Sequence, residues 1–291
     1  MSSYTADRQG HICKNDSGQD RLLEKMYGCA PGRAVLKPLV NPVLSELGGR
    51  ILDSRLSALA VPAFIRHAGI DMRDYEKRKF RSYNDFFTRR IREGARPVSM
   101  VPEHFVSPCD SRVSVYPIDG NCRVKIKHTP YTVAELLKNP VLAKRYEGGY
   151  LWVFRLCVDD YHRYIYIDDG FESRRVHIDG ALHTVNPVAN DVYPIYKENT
   201  REFCIQKSRH FGHLLLMEVG ALLVGRIVNH DIEQTVSRGE EKGYFEFGGS
   251  TVIVAVQAGQ VRIDEDIWQN SAEGIETVVK QGEKIGTGLK A

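Results

Sequence analysis

Long apolar runs are the first thing missing from this 291-residue chain. The longest, Leu214 to Val228, is broken by Glu218, Gly220, Gly225 and Arg226. It falls short of the roughly 18 uninterrupted residues that a membrane-spanning helix needs. The first twenty residues are polar and lack the apolar segment of a signal peptide. Both absences predict a protein that is soluble or held peripherally at a membrane. Cysteine is sparse as well: six are scattered at 13, 29, 109, 122, 157 and 204, without a CxxC pair. That pattern argues against a disulfide scaffold or a zinc module, predicts no metal site, and fits a reducing cytosol. Net charge is only +3, so the total gives no case for a nucleic-acid partner.

The charge that is present is unevenly placed. Between Arg66 and Arg96 there are ten Lys/Arg against five Asp/Glu, a surplus larger than that of the whole chain. Such a cluster is either a solvated helix face or a surface for anionic partners, whether lipid headgroups or nucleic acid.

The period of the apolar residues changes along the chain. Residues 1–20 read as a disordered tail. From Arg21 to about residue 100 the pattern is helical. "SYNDFFTRRIREG" offers Ser82 as N-cap, Asp85 three residues on, and Gly94 as the stop. From residue 101 short β-branched runs take over, interrupted by "TVAELLKN" with Thr132 and Glu135 as a capping box. "HLLLMEVGALLVGRIV" reads as one strand region and "QGEKIGTG" as a surface hairpin. The fold class predicted is α+β: a helical N-terminal layer followed by a mainly antiparallel β-domain.

"GYFEFGGSTVIVAV", Gly243 to Val256, places a serine directly after two glycines inside predicted sheet. A glycine pair there is ordinarily a turn or a bulge. A serine after glycine has a second use. If the Gly249–Ser250 peptide is strained, the Ser250 hydroxyl can attack the Gly249 carbonyl and turn amide into ester. Elimination leaves dehydroalanine, and hydrolysis leaves a pyruvoyl group at the new N-terminus. Its ketone condenses with amines as a Schiff base and acts as an electron sink. His162, in "DDYHRYIYIDDG", sits at a strand edge where a base or proton carrier is plausible chemistry, although alone it reads as a half-buried structural histidine. Asp110, in "SPCDS", alone reads as a turn cap, yet a carboxylate there could orient such a histidine.

Taken together, "SYNDFFTRRIREGARPV", "SPCD", "DDYHRY", "LHTVNPVA", "EVGALLVG" and "GYFEFGGSTVIV" occur in the order seen in phosphatidylserine decarboxylases, and the chain resembles that family from about Tyr75 to Gly288. The resemblance implies self-cleavage between Gly249 and Ser250 into chains 1–249 and 250–291 that stay associated. It implies a covalent pyruvoyl cofactor made from Ser250, and decarboxylation of phosphatidylserine to phosphatidylethanolamine at the cytoplasmic face of an anionic membrane. A homodimer is compatible with it. Ser250, His162 and Asp110 fall on the family's functional positions.

Two positions depart from the pattern. Asp110 is followed by Ser111 rather than glycine, and Ile165 stands where many members carry a second histidine three residues after the first. Either His162 serves twice or another histidine acts as the base for cleavage, with His183 the first candidate and His177 the second. Two other functions remain open at this stage: a pyruvoyl decarboxylase of a soluble amino acid, and a non-catalytic barrel-type carrier or binding module.

Overall fold

The computed structural model describes residues 3–15, 27, 48–126, 128–184, 190, 193–221, 226–230, 234–246 and 250–289. The strands, in chain order, are β1 Ser3–Ala6, β2 Ile12–Asn15, β3 His104–Val106, β4 Ser111–Pro117, β5 Arg123–Ile126 and β6 Thr129–Thr132. Then come β7 Tyr150–Leu156, β8 Arg163–Ile165, β9 Gly170–Glu172, β10 Val176–Ile178, β11 Arg201–Ser208 and β12 His213–Val219. The last group is β13 Ile227–Asn229, β14 Thr235–Val236, β15 Glu241–Phe245, β16 Ser250–Val256, β17 Val261–Ile263, β18 Glu276–Val279 and β19 Lys284–Gly288.

One large sheet, ordered β14-β9-β11-β12-β16-β7-β4-β18-β1-β2, organises the β-region. Its pairings are antiparallel except for β1 against β18. Every residue of β16 is buried, as expected of an apolar, β-branched run covered on both faces. The small sheet β13-β15-β8 packs against the large one, because Lys242 of β15 reaches Glu218 of β12. The α+β expectation therefore holds, with strand predominating.

The helical layer contains α1 (Val61–Ala68) and α2 (Tyr83–Phe87). Ser82 caps α2 as its sequence predicts, accepting from the Asp85 N–H at 3.0 Å. Phe86 and Phe87 join Tyr83 and Val61 in a small core of their own, with Phe64 and Ile65 packed against it.

Four expectations need correction. The N-terminal tail is not disordered over residues 3–15: it forms the β1–β2 hairpin. Thr5 and Ala6 are buried there, and Arg8 is ion-paired to Asp264 and Asp266. The boundary at residue 101 is accordingly not clean, since β1 completes the C-terminal sheet. The helix from Ser82 stops at Phe87 instead of running to Gly94. Beyond it the backbone is extended, with Glu76 N–H donating to Arg90 O and Arg92 N–H donating to Asp74 O, a ladder that a helix would forfeit. Finally, "QGEKIGTG" is only half a surface turn. Gly282 takes φ +80°, and Ile285 of β19 is fully buried between β17 and β3.

Candidate active site

Register places the candidate residues at one end of the large sheet. β16 begins at Ser250, opposite Leu156, the last residue of β7. On its other side Thr251 faces Val219, the last residue of β12. β4 begins at Ser111, which pairs with Val279 at the end of β18. Asp110 therefore leads into this edge, the Cys157–His162 loop leaves it, and Gly220 lies beside Ser250. Gly248 and Gly249 lie outside the described residues.

Ser250 is fully buried, and its hydroxyl has no hydrogen-bond partner among the described residues. An unsatisfied buried hydroxyl is costly. An orphan of this kind at a strand start is what a reactant, rather than a structural serine, looks like.

His162 is also fully buried. Its Nδ1 lies 3.0 Å from the Asp160 carbonyl. A carbonyl only accepts, so this bond fixes the proton on Nδ1 and makes Nε2 the nitrogen that takes up a proton. The Phe87 ring lies against the imidazole at 4.0 Å between centroids, tilted by 39°. The His162 carbonyl accepts from Phe245 N–H at 2.9 Å, five residues before Ser250.

Asp110 is buried at the same end, but its partners are not histidines. Arg96 donates to it from Nε and Nη2, at 3.0 and 2.8 Å, and Gln281 N–H donates at 2.8 Å. Lys280 stands 3.4 Å away. Burial works to raise the Asp110 pKa, but Arg96, Lys280 and the Gln281 amide outweigh it and hold the carboxyl below its usual range. The histidine-orienting role foreseen for Asp110 has no direct contact behind it among the described residues.

His183 reaches the same edge through its backbone. Its N–H donates to Asn199 Oδ1 at 3.0 Å, and Asn199 Nδ2 donates to the carbonyls of His183 (2.7 Å) and Gly220 (2.8 Å). Asn199 thus staples the His183 loop to the strand beside Ser250. The ring stacks on Tyr193 at 4.7 Å. Nε2 is 3.7 Å from the partly exposed Glu198 carboxylate, while Nδ1 is buried without a hydrogen-bond partner among the described residues. Burial lowers its pKa, and Glu198 does not reverse that, so the ring is neutral at pH 7 and competent as a base. His177 does not share this setting: it is exposed on β10 and paired with Glu202 and Asp179. Ile165 is buried on β8, its N–H donating to Pro108 O.

Sequence reasoning missed three supports. Arg96 holds Asp110, and Asn199 holds His183. Lys242 lies 3.0 Å from both Glu218 oxygens, all of it buried, with Asn229 bridging. Glu218 pairs with Val252, two residues past Ser250. Its side chain therefore projects on the Ser250 face of the sheet. A charged residue within an apolar strand pattern was the available signal for Glu218.

The sequence of residues 83–287 matches the family described as phosphatidylserine decarboxylase. The chain is 44% identical over 265 residues to the phosphatidylserine decarboxylase proenzyme 2 of Clostridium acetobutylicum, covering 91% of each chain. It is 39% identical over 276 residues to the phosphatidylserine decarboxylase proenzyme of Clostridium novyi, covering 93% of this chain and 94% of that one. A third relative, from Clostridium tetani, is 41% identical over 247 residues, 83% of each chain. The chain belongs to the phosphatidylserine decarboxylase family, which makes it a decarboxylase by family, related to proteins named as proenzymes.

Proposed function

We propose that this chain is a proenzyme that cleaves itself between Gly249 and Ser250 and then decarboxylates phosphatidylserine. The buried Ser250 hydroxyl, without a hydrogen-bond partner among the described residues, carries the reading. In the cleavage step the Ser250 oxygen bonds to the Gly249 carbonyl carbon, the C–N bond breaks, and the hydroxyl proton passes by way of a base to the new amine. Loss of the Cα proton then breaks the Cβ–O bond and releases residues 1–249 as a carboxylate. Water converts the remaining dehydroalanine to a pyruvoyl ketone with loss of ammonia.

The fold is suited to surviving the cut. Within 250–291, β16 lies between β7 and β12, β18 between β4 and β1, and β19 between β17 and β3. All these neighbours except β17 belong to 1–249, so the two chains stay interleaved.

The ketone at position 250 supplies an electron sink for loss of CO2 from an amine-bearing substrate. His162, with one proton held on Nδ1 by the Asp160 carbonyl, takes up a second on Nε2, and that Nε2–H donates to the substrate carboxylate or passes its proton to the carbon left after CO2 departs. His183, neutral and tied to the strand beside Ser250, is the candidate base for cleavage. Asp110 acts on the site from its frame, locking Arg96 against the start of β4.

The substrate side of the reading is a lipid surface. Ile51, Leu56 and Leu59 are 63, 79 and 81% exposed, flanked by Arg50, Arg55 and Arg66 in the helical layer. Exposed apolar side chains with arginines close by in the sequence suit an anionic bilayer, here the cytoplasmic face of a cell membrane. Among the described residues no helix is long and apolar enough to cross a membrane. Intact mass under denaturing conditions tests the reading. Two chains, the smaller bearing a keto terminus, are expected; a single full-length chain in an active preparation would overturn it.

A further inference from the structure

Arg89 lies in the basic segment, yet only 1% of it is exposed. Its guanidinium is sandwiched between the Tyr75 ring at 4.4 Å and the Phe86 ring at 4.8 Å. From Nη2 it donates to Tyr75 Oη at 3.2 Å and to the carbonyls of Asp159 and Asp160 at 3.0 and 3.1 Å. Nε and Nη1 are buried without hydrogen-bond partners among the described residues. The side chain thus gives its hydrogen bonds to a phenol and two carbonyls, none of them a carboxylate. Burying a cation in that way opposes folding, and a neutral side chain would fill the slot at lower cost.

The Asp160 carbonyl that Arg89 grips is the one that accepts from His162 Nδ1. Two residues earlier in the chain, Phe87 packs against the His162 ring. Just after His162, Arg163 donates from Nε and Nη2 to the Thr88 carbonyl. Residues 87–89 therefore contact the loop at the ring, at the carbonyl that fixes its tautomer, and at the residue that follows. We infer that Arg89 is a positioning residue for His162. Its Nη2 pins the Asp159–Asp160 carbonyls so that the imidazole keeps one orientation and one tautomer. The inference rests on the reading of His162 as the residue that serves decarboxylation.

The test uses the cleaved, full-length enzyme with Arg89→Lys and Arg89→Met, with His162→Ala in parallel. Lysine keeps the charge beside the two rings but cannot reproduce the guanidinium's planar, forked donor geometry. Misplacing a reacting group by about 1 Å can cost on the order of 10²-fold in rate. Expected for both variants is a kcat lowered by about 10- to 100-fold, with KM, cleaved fraction and, for the Lys variant, Tm close to wild type. Imidazole nitrogen NMR should show His162 as the Nδ1–H tautomer in the wild type and as a mixture in the Met variant. Wild-type kcat in the Lys variant overturns the inference whether or not the Met variant folds. A parallel fall of Tm, KM, kcat and cleavage in the Lys variant overturns it too, because Arg89 would then be scaffold alone. Full turnover by His162→Ala sinks the parent reading. Loss of turnover there with Arg89→Lys intact sinks only this one.

Discussion

Arg96 grips Asp110 from Nε and Nη2 at the buried start of β4. The family aspartate is thus committed to an arginine in the precursor, and its effect on the site passes through the frame that this pair builds. The Asp110 carboxyl is held below its ordinary value of 3.8. A depressed acid stabilises the fold fully above that value and loses the contribution as pH falls below it, through the folded pKa. Asp110→Asn should cost up to about 3 kcal/mol at neutral pH, since it removes the buried carboxylate of Arg96 and leaves only the more exposed Asp74, at 2.8 Å, to pair it. The deficit should shrink as pH drops below 3.8. Urea unfolding of both proteins from pH 7 to 3 checks this; a pH-independent difference would mean that Asp110 is not the titrating partner.

Ser250→Ala should yield one full-length chain without decarboxylase activity. It should also be slightly more stable, by up to about 1 kcal/mol, because it removes a buried hydroxyl that has no partner among the described residues. Mass spectrometry and thermal unfolding report the two effects separately. Chain splitting in this variant defeats the acyl-shift mechanism.

Cleavage needs a base, typically worth about 10²–10⁴ in rate, and Ile165 cannot supply one. His183→Ala should slow cleavage by that order, while His162→Ala should spare cleavage and abolish turnover. Burial lowers the His183 pKa below 6.5, so the cleavage rate should be flat above pH 6.5 and fall only below it. A rate that keeps rising through pH 7 to 8 would point to a base of higher pKa.

The chemistry was more legible in the sequence than its supports. Ser250 stands out because glycine before serine within a β-branched run is a local pattern, and locality is what a sequence displays. The Thr132–Glu135 capping box formed as read for the same reason. Arg89 and Arg90 are identical neighbours in the sequence, yet one is buried and the other exposed. Their fates are decided by Tyr75 and by carbonyls seventy residues away, which no periodicity encodes. The β1–β2 hairpin was read as tail because its partner, β18, lies at the other end of the chain.

Lys242 and Glu218 offer a test of a buried pair on the Ser250 face. Lys242→Met leaves Glu218 without its cation, while Glu172, 3.9 Å from Lys242, keeps Arg175 at 2.9 Å; the change should cost about 3–5 kcal/mol. Adding Glu218→Gln should recover part of that loss, since one uncompensated charge is gone. Chemical denaturation of the single and double variants gives the coupling; strict additivity would show that the ammonium and carboxylate do not depend on each other.

The basic segment divides by burial, and that division yields the membrane prediction. Arg90 and Arg92 are exposed, as are Leu56 and Leu59. Arg90→Glu with Arg92→Glu should weaken binding to vesicles containing anionic lipid by roughly 1 kcal/mol per charge removed, most clearly at low salt. Leu56→Asp with Leu59→Asp should weaken it at every salt concentration, because insertion of apolar area is not screened. Arg89→Glu belongs to neither class. It puts a carboxylate between two aromatic rings and against two carbonyls, so it should unfold the layer. Vesicle sedimentation at 20 and 500 mM salt, alongside Tm for each variant, separates the three behaviours. If the Arg90/Arg92 and Leu56/Leu59 variants sediment like wild type at both salts, the lipid-facing surface lies elsewhere on the molecule.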